Sequence, residues 1–223
     1  MNSADFLPAP KQRSAKQRFK GSGKRPAGST RIPPTKASAK EKLLTPVTPG
    51  WLRVPKGSRM GDMRPTVYIE TSIVSYLAAH PSRDLITAAH QQITHSWWQG
   101  RRSEFSIFAS QVVLDESAAG DAQMASKRME ILKDVPLLEI TPEVAELAAT
   151  LIMRIPLPSR AGADAAHIAV AAYHGMNFLL TWNCSHIANA VLRPRIEKIC
   201  REQGHAAPVL CTPEELLGGA EDG

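Results

Sequence analysis

The chain has 223 residues, 43% of them apolar, enough for one large domain with a tail. Its net charge of +6 averages two unlike parts: residues 1–60 carry 14 Lys/Arg against Asp5 and Glu41, a net of +12, while the rest carries 13 basic and 19 acidic residues, a net of −6. No run of 18 apolar residues argues for a membrane span, and three cysteines without C-x-x-C spacing (Cys184, Cys200, Cys211) argue against a disulfide framework or a structural zinc site.

Residues 1–62 read as a basic tail and residues 219–223 as a short second one. The stretch "KQRSAKQRFKGSGKRPAGSTRIPPTKASAKEK" is rich in Lys, Ser, Gly and Pro and lacks apolar periodicity. Such a segment cannot bury enough surface to offset its ordering entropy, so disorder is expected. Three readings stay open: a basic arm that touches nucleic acid, a transit peptide, or a stretch upstream of the true start, since Met60 and Met63 stand just before the first strand. No charged n-region followed by an apolar run is visible, so a reducing cytoplasm is the expected location.

The domain expected over residues 63–218 alternates strands with helices. "TVYIE" (66–70) reads as a strand and residues 72–79 as a short helix that ends near "HPS". "RDLITAAHQQITHSWWQGRR" (83–102) reads as a longer helix, with Leu85, Ile86, Ala89, Ile93 and Trp97 at three- and four-residue steps. "FSIFAS" (105–110) is a second strand, followed by helices over 111–119 and 122–133 that break at Gly120. "PLLEI" (136–140) is a third strand. Thr141 then caps a helix over 142–154 whose first position is Pro142. After the loop "PLPS", residues 161–175 form an Ala-rich helix that stops at Gly175. "NFLLTW" (177–182) is a fourth strand, residues 192–203 a helix stopped at Gly204, "APVLCT" (207–212) a fifth strand, and "PEELL" a closing turn of helix.

This alternation predicts a three-layer α/β/α fold with a central parallel sheet of four to five strands, covered on both faces. A domain of about 160 residues buries about two-thirds or more of its unfolded surface and needs no disulfide or metal to stand. In such sheets ligands sit at the carboxyl ends of the strands. Four polar residues fall there: Glu70 after the first strand, Glu116 on the helix after the second, Asp164 in the first turn of the Ala-rich helix, and Asn183 after the fourth strand. Three carboxylates in one cleft repel each other strongly at low local dielectric. A divalent cation relieves that repulsion, and oxygen donors suit Mg²⁺ or Mn²⁺.

Each residue also has an ordinary explanation. Glu70 can cap the following helix with Thr71 and Ser72; Glu116, beside Asp115, can face solvent; Asp164 can complement the helix dipole; Asn183 can be a turn residue. His167 shares a helix face with Asp164, three residues away, and can hydrogen-bond it, sit in the core, or ligate a metal. His186 reads as a turn or helix-start residue.

Taken together, "YIETSIVSYL", "ASQVVLDE", "ADAAHIAVAA" and "LLTWNCSHIAN" resemble the PIN domain, and within it the VapC-type toxins of bacterial toxin–antitoxin pairs. The resemblance covers roughly residues 64–217. It implies a compact α/β/α ribonuclease whose acidic cluster maps onto Glu70, Glu116, Asp164 and Asn183, with Glu70, Glu116 and Asp164 holding Mg²⁺ or Mn²⁺. Two positions depart from the family pattern. Glu70 is one methylene longer than the usual Asp, and Asn183 is neutral where many relatives carry an acid. Three formal charges favour one firmly held cation over two, and they keep open a catalytically weak or inactive module that binds nucleic acid or protein.

The implied reaction is hydrolysis of an RNA phosphodiester, with the cation activating water and polarising the phosphate. Thr71 and Ser72 could donate to phosphate near a helix N-terminus. Arg101 and Arg102 in "WWQGRRSE", and Arg193, Arg195 and Lys198 in "LRPRIEK", are candidate RNA contacts that read equally as solvated helix faces. A small antitoxin protein and a second copy of the chain are the partners the resemblance implies.

Overall fold

The structure, a computed structural model, describes residues 64–155 and 162–218. The expectations for the tails at 1–62 and 219–223 and for the loop "PLPS" lie outside the described residues.

Five parallel strands form one sheet in the order β3-β2-β1-β4-β5: β1 (Thr66–Ile69), β2 (Ser106–Ser110), β3 (Leu137–Leu138), β4 (Phe178–Leu180) and β5 (Val209–Cys211). β1 is the middle strand, and its composition suits that place. Thr66, Val67, Tyr68 and Ile69 are β-branched or aromatic and all buried, as a strand covered on both faces requires. Val67 pairs with Ile107 on one side and Phe178 on the other. The amino ends of β1 and β4 are pinned by a buried side chain. Asn177 Oδ1 accepts from the Thr66 amide at 2.8 Å and from the Thr66 hydroxyl at 2.9 Å.

The helices are α1 (Thr71–Ala78), α2 (Leu85–Gly100), α3 (Gln111–Ala118), α4 (Ala122–Leu132), α5 (Pro142–Arg154), α6 (Gly162–Tyr173), α7 (Arg193–Glu202) and α8 (Pro213–Leu217), with a 3₁₀ turn at Arg102–Glu104. Most boundaries follow from local chemistry. Asp84 caps α2 by accepting from the Thr87 amide at 2.8 Å, and Thr141 caps α5 ahead of Pro142. Gly175 ends the α6 segment at φ 67°, a left-handed backbone that favours glycine. The Ala-rich α6 is apolar nearly all round because Ala165, Ile168, Ala169, Val170, Ala171 and Ala172 are all buried, with α5 packed along it.

Two elements differ from their sequence patterns. The expected third strand, 136–140, pairs only at Leu137 and Leu138. It is the sheet edge, Pro136 brings no amide donor to the ladder, and Leu137 is about half exposed, at 48%. "Arg102–Glu104" leaves the end of the long helix as a separate 3₁₀ turn.

The strand order places a topological switch point between β1 and β4, since the chain leaves them toward opposite edges of the sheet. The crevice beyond the carboxyl ends of such a pair is the general ligand site of open α/β sheets. Glu70 follows β1 and Asn183 follows β4, so both lie at the switch point.

Candidate active site

β1 ends at Ile69, and the next residue, Glu70, turns the chain into α1. Glu70 is buried, with 7% exposure. Its Oε2 accepts from the Ser72 amide at 3.1 Å, the Ser72 hydroxyl at 2.5 Å and the Thr181 hydroxyl at 2.7 Å. Three donors on one oxygen offset much of the cost of burying the charge. Glu70 is therefore the N-cap of α1. Its Oε1 takes no hydrogen bond from the described residues.

Glu116, on α3, is half-buried. Its Oε2 accepts from the Thr71 hydroxyl and from His167 Nε2, the latter at 3.0 Å. The His167 hydrogen bond first, and the Thr71 hydroxyl after it, hold the Glu116 carboxyl below the usual carboxylate range against the opposing effect of burial. His167, on α6, is fully enclosed, and its Nδ1 lies 2.8 Å from the Tyr68 hydroxyl, which in turn lies 2.7 Å from Ser110 Oγ. A continuous polar chain thus runs Ser110–Tyr68–His167–Glu116–Thr71. It crosses from β2 through β1 and α6 to α3 and α1. Burial keeps the Tyr68 phenol protonated far above neutral pH.

Asp164 opens α6 and is mostly buried. Asn183 Nδ2 donates to its Oδ1 at 2.8 Å, and His186 Nδ1 lies 2.8 Å from its Oδ2. Asn183 Oδ1 accepts from the His186 amide at 3.1 Å, which closes the loop after β4 into a small hydrogen-bonded cradle.

Glu70, Glu116, Asp164 and Asn183 follow strands or lie on helices that begin beyond the carboxyl ends of strands; Thr71, next to Glu70, donates to Glu116, and Asn183 donates to Asp164. Of the readings open for His167, the structure shows the core position and not the bond to Asp164. His167 does not turn to Asp164 on its own helix; it joins Tyr68 and Glu116, and His186 takes the place beside Asp164. Among the described residues, ligand atoms of Glu70, Glu116 and His167 lie within 4.8 Å of one another, and Asp164 lies outside that group. None of the three acids pairs with Lys or Arg among the described residues. Two carboxylates and one imidazole, the carboxylates unpaired with Lys or Arg among the described residues, make a donor set that fits a divalent cation.

The expected phosphate contacts are placed differently from one another. The Thr71 and Ser72 hydroxyls already donate to Glu116 and Glu70. Arg101 pairs with Glu104 at 2.5 Å and donates to the Leu217 carbonyl. Arg102 stacks 4.5 Å over Trp98 and lines a cavity of 620 Å³ with Phe105 and Asp134. Both arginines precede β2 and so lie at the opposite end of the sheet from the acids. Arg193 and Arg195 open α7, which starts on the acidic edge; Arg193 donates to the Leu210 carbonyl at 2.7 Å, and Arg195 is exposed.

Sequence reasoning did not single out Tyr68, Ser110 or Thr181. A usable signal existed for Tyr68: a tyrosine in an otherwise aliphatic buried strand needs a partner for its hydroxyl.

The fold and this edge define a class: a doubly wound α/β domain with an acidic, histidine-backed crevice at its switch point. No protein-family profile matches the sequence, and no curated protein matches it. Solved structures that are similar to it include VapC20 of Mycobacterium tuberculosis, a Sarcin-Ricin loop cleaving toxin, at 17% identity and a TM-score of 0.45 over 56% of this chain and 95% of that one. VapBC2 from Rickettsia felis, bound to a DNA fragment from their promoter, is similar at 15% identity and a TM-score of 0.44 over 66% of this chain and 98% of that one.

Proposed function

We propose that the protein is a metal-dependent endoribonuclease of the PIN type and serves as the toxin of a toxin–antitoxin pair. The observation that carries this reading is the cluster of Glu70, Glu116 and His167 at the switch-point crevice, with Asp164 nearby and none of the three acids paired with Lys or Arg among the described residues. Structural acids at such density are normally matched by Lys or Arg.

Glu70, Glu116 and Asp164 would hold Mg²⁺ or Mn²⁺, which when bound supplies charge neutralisation and polarisation of the scissile phosphate. The chain's own residues do the rest. Ser72 and Thr181 hold the Glu70 carboxylate in one rotamer. Asn183 and His186 orient both oxygens of Asp164. Asp164 Oδ2, 2.8 Å from His186 Nδ1, fixes the orientation of that ring at the crevice. Arg193 and Arg195, at the start of α7, lie on the side from which an RNA backbone would approach. The partners in this reading are RNA, a small antitoxin protein and a second copy of the chain, and the site of action is the cytoplasm.

A binding module without turnover is the second reading. It is favoured by the internal satisfaction of the acids, since both Asp164 oxygens and Glu70 Oε2 already accept hydrogen bonds. Incubation of the full chain with a structured RNA and Mn²⁺ separates the two. Cleavage that EDTA abolishes, and that Asp164→Asn abolishes with the thermal unfolding midpoint retained, supports the nuclease. RNA retention that responds to salt and not to EDTA, with no cut product, sinks it.

A further inference from the structure

We propose that His167 is itself a ligand of the divalent cation, through Nε2, and that the buried hydroxyls of Tyr68 and Ser110 allow the tautomer this requires. The proposal rests on the nuclease reading for the presence of a cation and adds an imidazole to the donor set.

The spacing supports it. Two donors each about 2.1 Å from a cation and at right angles stand about 3.0 Å apart. His167 Nε2 and Glu116 Oε2 are 3.0 Å apart, and a Glu70 oxygen completes the group within 4.8 Å. His167 is 1% exposed, so its ring cannot swing toward solvent, and Tyr68 fixes it from behind at 2.8 Å. Metal-bound histidines commonly have such a partner on the second ring nitrogen.

The proton arrangement supports it further. In one ring tautomer Nε2–H donates to the Glu116 carboxylate, Nδ1 accepts from the Tyr68 hydroxyl, and the Tyr68 oxygen accepts from Ser110. A cation at Nε2 requires the ring proton on Nδ1. Nδ1–H then donates to the Tyr68 oxygen, and the Tyr68 proton turns to Ser110 Oγ. The ring carries one proton in each state, released from Nε2 to solvent and taken up at Nδ1 from solvent. The two hydrogen bonds behind the ring reverse, and the cation takes the place of the one between Nε2 and Glu116. An amide N–H behind Nδ1 would forbid this exchange; two hydroxyls, each able to give or accept, permit it. A purely structural chain joining β2, β1, α6 and α3 needs only one of the two directions. The nitrogen donor also shifts the preference from Mg²⁺ toward a transition ion such as Mn²⁺.

The test is pulsed electron paramagnetic resonance of the full chain with substoichiometric Mn²⁺, grown with natural and with ¹⁵N-labelled histidine. The expected result is echo modulation from a directly bonded nitrogen that changes with the label. It should persist in His186→Gln and vanish in His167→Gln. Tyr68→Phe should weaken Mn²⁺ binding in calorimetry about tenfold or more. Bound Mn²⁺ with no coupled nitrogen, or coupling lost in His186→Gln, overturns the proposal and leaves the carboxylate site standing. Failure of Mn²⁺ to bind at all removes the nuclease reading with it.

Discussion

The Thr181 hydroxyl donates to Glu70 Oε2 across 2.7 Å, joining residues 111 apart in sequence at the carboxyl ends of neighbouring strands. The same oxygen caps α1 through Ser72, and Ser72 Oγ also accepts from the Trp182 amide at 2.8 Å. β1, α1 and the loop after β4 are therefore indexed to one carboxylate oxygen. Capping occupies Oε2 and leaves Oε1 without a hydrogen bond from the described residues, so the cap does not compete with the ligation proposed for Glu70.

Glu70→Gln separates the two roles. Gln keeps a carbonyl oxygen for the Ser72 amide but loses the charge that strengthens the two hydroxyl bonds. The metal-free variant should lose about 1–2 kcal/mol, in the range of a lost N-cap. RNA cleavage should fall to background while circular dichroism stays that of the parent. Full cleavage in a stable Glu70→Gln protein would leave Glu70 as a cap alone.

Glu116 sets a pH dependence. Its folded-state pKa is lowered, by the His167 hydrogen bond first. Its contribution to stability is thus present above the ordinary carboxylate pKa of 4.5 and is lost as pH falls through the lower folded value. In EDTA, the parent should unfold at a higher temperature than Glu116→Gln at pH 6, and the gap should shrink from about pH 4.5 downward. A gap constant between pH 6 and pH 3 would mean that the carboxylate gains nothing from its two donors.

Asn177 is a structural counterpart at the other end of the sheet. Asn177→Ala leaves the buried Thr66 amide and hydroxyl without their acceptor. A loss of about 1–3 kcal/mol is expected, from a buried group left unsatisfied. For a domain of this size that lowers the unfolding midpoint by about 2–4 °C per kcal/mol. Cleavage per folded molecule should be unchanged, because Asn177 precedes β4 and the crevice follows it.

Sequence legibility tracked the range of the interactions. The start of α5 was readable because Thr141 and Pro142 act on their own turn, and the stops at Gly175 and Gly204 because positive φ is a local demand, met at 67° and 81°. The positions of Glu70 after β1 and Asn183 after β4 were readable because the strands themselves were. The histidine partners were not. Three-residue spacing put His167 beside Asp164, but its ring is held by Tyr68 and Glu116, 99 and 51 residues away. Spacing describes neighbours on one helix; these contacts cross layers. The shortened β3 failed similarly, since pattern alone does not say which strand is an edge.

Asn183→Asp tests the charge balance of the crevice. Asn183 Nδ2 donates to Asp164 Oδ1 at 2.8 Å, and its own Oδ1 accepts from the His186 amide. Aspartate can keep the second bond. It replaces the first with two carboxylate oxygens at contact distance, a repulsion that only a shared proton, a rearrangement or a cation relieves. The variant should therefore unfold at a lower temperature than the parent in EDTA. Mn²⁺ should raise its midpoint by more than it raises the parent's, because a ligand that binds the folded state stabilises by RT ln(1 + [L]/Kd) and the added charge lowers Kd. The paired measurement is the midpoint with and without saturating Mn²⁺ for both proteins. Equal Mn²⁺ increments, together with the lower metal-free midpoint, would mean that Asn183 serves only to orient Asp164 and that the cation sits out of its reach.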